Sequence, residues 1–240
     1  VEQSTHLVTG VGGEAIYNGN TVALRGFFAD PSFFEIFSYD LEKGDRSKAL
    51  SAPHSMVIES ELAYQLFGTE NPIGQTVQFV DRGFHHLKSG RELPPTDWGN
   101  FVVTGTFSSK NFKTHLKFDV LVSASSREGL YTSGKLTDLS NNWEDYNKCF
   151  TYVLLLSGKT KDDLNASLDN LVSHKYTAIK AEHLQGYKLS AQGLGEITPG
   201  VFVSHPPGYG MPIEGYYFLG FLAFIIMLSA CLNYINLSTL

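Results

Sequence analysis

The stretch AIYNGNTVALRGFF, residues 15–28, is typical of a β-hairpin. Apolar and β-branched residues lie on both sides of Asn18-Gly19, and an Asn-Gly pair favours the two-residue turn whose central residues both have positive φ. Residues 7–11, just before this stretch, also have strand character. We therefore expect the chain to begin with strands that are joined by a tight turn.

Short helices and further strands alternate after this hairpin. Asp30 is placed to cap a short helix with Pro31 at its first position, and Ser60 to cap a helix over 61–67 that ends at Gly68. The other predicted strands are 55–58, 75–80, 101–107, 118–123 and 150–156. The spacing is not the regular one of a doubly wound fold, so the sequence predicts an α+β domain with mixed sheets.

Two longer segments have distinct predictions. Residues 81–100, with two adjacent prolines and two glycines, are predicted to be a long loop or an extended hairpin. Thr160 and Asp163 form a pair like a capping box, which predicts that a helix begins there. The apolar face of that helix is marked by residues three or four apart: Leu164, Leu168, Leu171 and Val172.

The end of the chain, residues 215–240, contains no charged side chain and is dominated by Phe, Leu, Ile, Ala and Met. At about 1.5 Å of rise per residue, such a helix crosses a hydrocarbon core about 30 Å thick. A buried core helix is the alternative, but apolar residues cover every face of this one. Tyr216 and Tyr217 fit an interfacial aromatic belt. The sequence therefore predicts a transmembrane helix here.

The composition limits the function classes. The 240 residues are 42% hydrophobic and carry a net charge of −6, which gives no basic surface for nucleic acid. Residues 1–13 contain no signal peptide, so if the folded part lies outside the cytoplasm, Val1 is expected to be a cut end. Cys149 and Cys231 are expected to be free thiols, because one lies in the predicted membrane helix.

Motifs for catalysis or cofactor binding are weak in this sequence. Residues 10–15 match the letters G-x-G-x-x-A, but they run into the hairpin instead of opening a helix, so nucleotide binding there is disfavoured. His85-His86, with Asp81 and Asp97 nearby in sequence, lacks the spacing of a zinc site and fits a solvated loop better. The sequence contains no phosphate loop and no nucleophile elbow. We expect no catalytic, cofactor-binding or metal residues.

Several short motifs follow one another along nearly the whole chain. They are DPSFFEIF at 30–37, Gly44-Asp45, NPIGQTV at 71–77, HLKFD at 115–119, YVLLL at 152–156 and ACLNYINLST at 230–239. In this order they resemble the MacB-like periplasmic core domain of FtsX/MacB-type ABC transporter permeases. No single motif is specific, but the collinear order is.

The resemblance implies a permease subunit of the bacterial inner membrane. Residues 1–214 would be its periplasmic domain, made of two lobes with one inserted near 75–148, and 215–240 its second membrane helix. The expected partners are a cytoplasmic ABC ATPase, a second permease subunit, a periplasmic adaptor protein and membrane lipid. The chain would be non-catalytic, and would couple ATP hydrolysis to export or mechanical work.

A function of another class is also compatible with the residues. A membrane-anchored extracytoplasmic domain that senses a ligand would have the same strands, aromatic interior and terminal apolar helix. The sequence beyond residue 240 distinguishes the two, because a permease continues into further membrane helices and a receptor into a signalling domain. A membrane-tethered enzyme is a third interpretation, which the missing motifs disfavour.

Overall fold

A computed structural model describes residues 1–84, 94–111, 114–139, 146–176, 186–201, 206–208 and 210–238. Its strands are β1 (Gln3–Tyr17), β2 (Asn20–Ala29), β3 (Lys43–Gly44), β4 (Ser55–Glu59), β5 (Thr76–Asp81), β6 (Thr96–Phe107), β7 (Val120–Ser123) and β8 (Cys149–Leu154). Its helices are α1 (Phe33–Ile36), α2 (Ser60–Phe67), α3 (Ser126–Thr132), α4 (Lys161–Tyr176) and α5 (Ile213–Ser238). Short 3-10 turns lie at Ser109–Asn111, Tyr146–Lys148 and Leu194–Glu196.

Six strands pair in a closed ring. β1 and β2 form the predicted hairpin, in which Tyr17 is opposite Asn20. From β2 the ring continues through β7, β4, β6 and β5, and β5 pairs again with β1. The β2–β7 and β4–β6 pairs are parallel, whereas the others are antiparallel. The predicted mixed sheet of an α+β domain is therefore confirmed, and its closure is a feature that the sequence did not predict.

All six ring strands contribute to one apolar cluster, which therefore lies inside the ring. Trp98 lies at its centre, with its ring centroid 5.6 Å from that of Phe28 and 5.2 Å from that of Phe79. Helix α2 adds Ala63, Leu66 and Phe67 to this cluster, which we call the inner cluster. The strand residues in it are Val11, Ala15, Val22, Leu24, Phe28, Met56, Ile58, Val77, Phe79, Trp98, Phe101, Val103, Val120 and Val122.

A second apolar cluster, the outer cluster, packs on the outside of the ring. It joins Phe33 and Phe34 of α1 to residues of β1, β2, β4 and β7. Its other members include Leu7, Phe27, Tyr39, Leu50, Val57, Phe107, Leu116, Phe118 and Leu121. Strands β4 and β7 are thus buried on both faces, which is why they read as continuous apolar runs.

One glycine fixes the parallel β2–β7 pair. A Cβ on Gly26 would lie 1.7 Å from the carbonyl oxygen of Val120, which is far inside van der Waals contact. Gly26 is opposite Val120 in the register of the two strands. Any larger residue at this position would push the two strands apart and open the ring.

The predicted cap of the first helix is wrong. Helix α1 begins at Phe33 after Ser32, so Pro31 is not its first residue. The Asp30 carboxylate accepts a hydrogen bond from the His6 backbone N–H at 3.0 Å, and its Oδ2 lies 2.9 Å from His6 Nδ1. The carboxylate therefore binds the neighbouring strand β1 instead of the helix.

The predicted cap of the second helix is wrong by one residue. Glu59 caps α2, and its Oε2 accepts hydrogen bonds from the backbone N–H groups of Glu61 at 2.8 Å and Leu62 at 3.2 Å. A carboxylate can accept both bonds and also interacts favourably with the positive end of the helix dipole. Gly68 ends the helix as predicted, with φ of +63°.

Other local predictions have mixed outcomes. Thr160 caps α4 as expected, because its Oγ1 accepts from the Asp163 backbone N–H at 3.3 Å and the Asp163 carboxylate accepts from the Thr160 backbone N–H at 2.9 Å. Of the two predictions for 81–100, a long loop or an extended hairpin, the hairpin is confirmed at its base, because β6 begins at Thr96, which pairs with Asp81 of β5. His85-His86 lies outside the described residues. The division of 1–214 into two lobes stays a prediction; strands β5, β6 and β7, from the range 75–148, pair with β1, β2 and β4 in the ring.

Asp81, at the end of β5, has an unusual titration. Burial raises the pKa of its carboxyl to about 6, against an ordinary value of 3.8, although the Gly83 backbone N–H donates to it. The folded state therefore binds more protons than the unfolded state between these two values. Because of this, the contribution of Asp81 to stability falls as the pH rises from about 4 to 6.

We expect Asp81→Asn to raise the free energy of unfolding at about pH 7.5 by about 1–2 kcal/mol and to change it little at about pH 4. The amide removes the buried charge and keeps an oxygen that can accept from Gly83. Urea unfolding of the full chain in detergent at both pH values measures this. Asp40→Asn, at an exposed site, is the control. Equal effects of the two substitutions at neutral pH would contradict the assignment.

Candidate functional site

The predicted apolar helix at the end of the chain is present as α5. No residue of its apolar span, Ile213–Ile235, is buried. Among the described residues, it is the one helix that is long and apolar enough to cross a membrane. The place where this helix meets the folded body is the candidate site, because any force between them passes there. We call residues 194–201, 206–208 and 210–213 the junction.

The junction is held by main-chain hydrogen bonds. Gly200 forms a parallel bridge with Pro212, the residue before α5. The Gly200 N–H donates to the Met211 carbonyl at 3.4 Å, and the Ile213 N–H donates to the Gly200 carbonyl at 3.2 Å. The start of α5 is thus joined to a second segment of chain and is not a free tether.

A second bridge joins the junction to the body. Gly208 pairs in an antiparallel bridge with Leu116, a buried member of the outer cluster. A Cβ on Gly208 would lie 1.8 Å from the His115 carbonyl oxygen and 2.9 Å from the Lys117 nitrogen. Only glycine allows this approach. At Gly210, by contrast, a Cβ would meet no atom of the described residues within 4 Å.

Side chains behind this bridge connect it to strand β8. His115 Nε2 lies 2.8 Å from the hydroxyl oxygen of Tyr152, and the Tyr152 ring packs against Phe37 at a centroid distance of 4.9 Å. Burial lowers the pKa of His115 and raises the pKa of Tyr152. Both groups are therefore neutral near pH 7, and the contact joins two half-buried, uncharged groups.

A cleft of about 330 Å³ lies between the body and the junction. Its body wall includes Phe37, Tyr39 and His115, and its junction wall is formed by Leu194, Gly195, Ile197 and Thr198. Glu196, in the same segment of the junction, pairs with Lys161 of α4 at 2.9 Å. Helix α4 is thus connected to the junction.

The apolar face predicted for α4 is only partly covered. Leu164, Leu168 and Val172 are half-buried and Leu171 is exposed. The helix therefore does not use this face to join either apolar cluster.

The residues that the sequence analysis weighed for chemistry are not brought together. Residues 10–15 lie inside β1, between β2 and β5, so they form no loop at a helix start. Within the described ranges, no three His, Cys, Asp or Glu side chains are grouped to hold a metal. Cys149 and Cys231 are free thiols. The absence of catalytic, cofactor and metal residues stays a prediction.

Sequence reasoning missed the role of Gly208. Residues 206–212 contain three prolines and two glycines, a composition that predicts a stiff segment with a bend but indicates no contact partner. Gly208 instead allows close contact with the backbone at 115–117. The residue types of the HLKFD motif at 115–119 do not indicate this contact either.

Comparison with known proteins places these features in a wider group. Residues 1–171 match the family described as MacB-like periplasmic core domain. No curated protein matches the chain. The fold is similar to that of a domain of a protein described as a permease from Porphyromonas gingivalis, with 18% identity, a TM-score of 0.52, and coverage of 72% of this chain and 70% of that one.

Two further solved structures are more distant. The periplasmic region of MacB from Actinobacillus actinomycetemcomitans has 14% identity and a TM-score of 0.47, with coverage of 72% of this chain and 67% of that one. The extracellular domain of the ABC-type transporter YknZ from Gram-positive bacteria has 15% identity and a TM-score of 0.47, covering 73% and 77%.

The exposed apolar surface of α5 leads to a solubility prediction. A chain that ends after Pro212 should remain in solution without detergent, whereas the chain to Leu240 should partition into membranes or aggregate, because burying α5 removes a large apolar area from water. Ultracentrifugation and size-exclusion chromatography of both chains measure this. Two equally soluble, detergent-free monomers would be inconsistent with a membrane role for α5.

Proposed function

Because this chain belongs to the family of MacB-like periplasmic core domains of ABC transporter permeases, we propose that it couples ATP hydrolysis in the cytoplasm to work outside the membrane. The observation that carries this proposal is the pair of backbone bridges at Gly200 and Gly208, which connect α5 to the folded body. A rigid body on a firmly joined helix can transmit displacement, whereas a body on a flexible linker cannot.

The connection continues from the junction into the body. The bridge at Gly208 reaches Leu116 in the outer cluster, and the contact between His115 and Tyr152 reaches β8. Strand β8 pairs with β1, which belongs to the ring. A shift of the outer end of α5 therefore has a continuous packed path to the strands, and two discrete arrangements of such a path are what a switching device requires.

The proposal includes the partners that a transporter of this kind needs. A cytoplasmic ABC ATPase hydrolyses ATP, a second permease subunit completes a dimer, and a periplasmic adaptor protein contacts the body. Residues 1–214 lie on the periplasmic side of the bacterial inner membrane, and 215–240 cross it. This chain contributes no catalytic group, and the output is export or mechanical work.

Gly208 provides a test of coupling in the complete transporter. We expect Gly208→Ala to leave ATP hydrolysis near the parental rate and to reduce the ATP-dependent movement of the body by about fivefold or more, because the Cβ breaks the bridge to Leu116. Gly210→Ala, at an open position on the same segment, is the matched control and should behave like the parent.

The movement can be measured without knowing the substrate. Nitroxide labels at Thr21→Cys in two permease subunits of a dimer in nanodiscs report the distance between the bodies with and without ATP. Cys149 and Cys231 are replaced by serine in all variants. A full distance change in Gly208→Ala would show that the bridge does not transmit the movement.

A binding measurement tests the non-catalytic role. Residues 1–212 should neither bind nor hydrolyse ATP, because a phosphate-cradling loop that opens a helix is absent from the sequence. Equilibrium dialysis with labelled ATP and a phosphate-release assay measure the two properties. Binding at micromolar affinity would contradict the proposal and would direct attention to residues 10–15.

A further inference from the structure

Three exposed apolar side chains lie together beside the start of α5. Val201 is 80% exposed, Ile213 41% and Met211 36%. The backbone bonds of the junction bring them together, since Gly200 is bridged to Pro212 and accepts from the Ile213 N–H. We call Val201, Met211 and Ile213 the junction patch.

The sequence around the junction patch is nearly free of charge. Between Glu196 and the last residue, the only Asp, Glu, Lys or Arg side chain is that of Glu214. Ion pairs lie on the body instead, for example between Arg82 and Glu14 at 2.8 Å. Directly after the patch, Tyr216 and Tyr217 are also exposed, and Tyr is a residue that membrane interfaces favour.

We propose that the junction patch lies in the interfacial layer of the same bilayer that α5 crosses, on the side of the folded body. This inference rests on the proposed function, which puts α5 in the membrane. The partner of the junction patch is lipid, because main-chain hydrogen bonds join the patch to the start of α5, which crosses the bilayer. Val201 directly follows Gly200, and Gly200 is bridged in parallel to Pro212, the residue before Ile213. Val201 is therefore held within about one strand spacing, about 5 Å, of the start of α5 and of the membrane surface.

This second contact constrains the body. A single helix allows the body to tilt about the point where the helix leaves the membrane. A patch that is also bound to the surface, and that is joined to Leu116 through Gly208, limits this tilt. Apolar side chains that insert between headgroups bind through buried apolar area.

Fluorescence quenching tests the proposal in the full chain. An environment-sensitive NBD label is attached at Val201→Cys or at Met211→Cys, with Cys149 and Cys231 replaced by serine, in vesicles of phosphatidylethanolamine and phosphatidylglycerol. Lipids with a nitroxide near the headgroup quench labels in the interface, and iodide quenches labels in water. Thr21→Cys in β2 is the aqueous control, because Thr21 is opposite Ile16, at the end of β1 that is distant from β8. Ile226→Cys in α5 is the membrane control.

We expect nitroxide lipids to quench the label at position 201 about threefold more than at 21, and iodide to quench it about threefold less. Iodide quenching at 201 and 211 equal to that at 21, with 226 in lipid, would overturn this inference and leave the proposed function standing. Protection of position 201 from both quenchers would mean that protein covers the patch, which also overturns it. A label at 226 that iodide reaches would refute the membrane placement of α5 itself.

Discussion

The fold depends on the ability of strand β1 to pair with three other strands. From Leu7 to Tyr17 it pairs with β2. Its first residues, Gln3 to Val8, pair with β8, and Gly13 to Ile16 pair with β5. An irregularity between Val8 and Val11 interrupts the β1–β2 register, and such bulges bend and twist a strand. The bend allows one strand to close the ring and also to extend beyond it to β8. Strand β1 therefore joins the ring to β8, whose Tyr152 contacts His115 beside the junction.

The two apolar clusters have different consequences. The inner cluster, with Trp98 between Phe28 and Phe79, fills the ring and stabilises its closure. The outer cluster contains Leu116 and Phe118, whose neighbours hold the junction. A substitution in the inner cluster therefore destabilises the fold. A substitution near Leu116 in the outer cluster can instead alter how the body is attached to α5.

Local features of this chain could be predicted from sequence, and contacts between distant segments could not. The Asn18-Gly19 turn, the end of α2 at Gly68 and the pair of Thr160 and Asp163 are set by neighbouring residues. The cap of α2 was predicted one residue too late, at Ser60. The Glu59 carboxylate accepts the hydrogen bonds from the first backbone N–H groups of the helix instead. Ring closure depends on parallel pairs between distant strands, such as β2 and β7. The role of Gly208 depends on its contact with the distant backbone at 115–117. Neither partner is indicated by the residues beside it.

The order of strands in the ring also affects how the domain is made. Strand β2 receives its second partner, β7, only after Ser123 has been synthesised and moved across the membrane, and until then β2 has an unpaired edge. Such an edge can pair with other chains, and non-local pairing is slow. All six ring strands precede α5 in the chain, so the residues that complete the ring and cover this edge are made before the apolar helix.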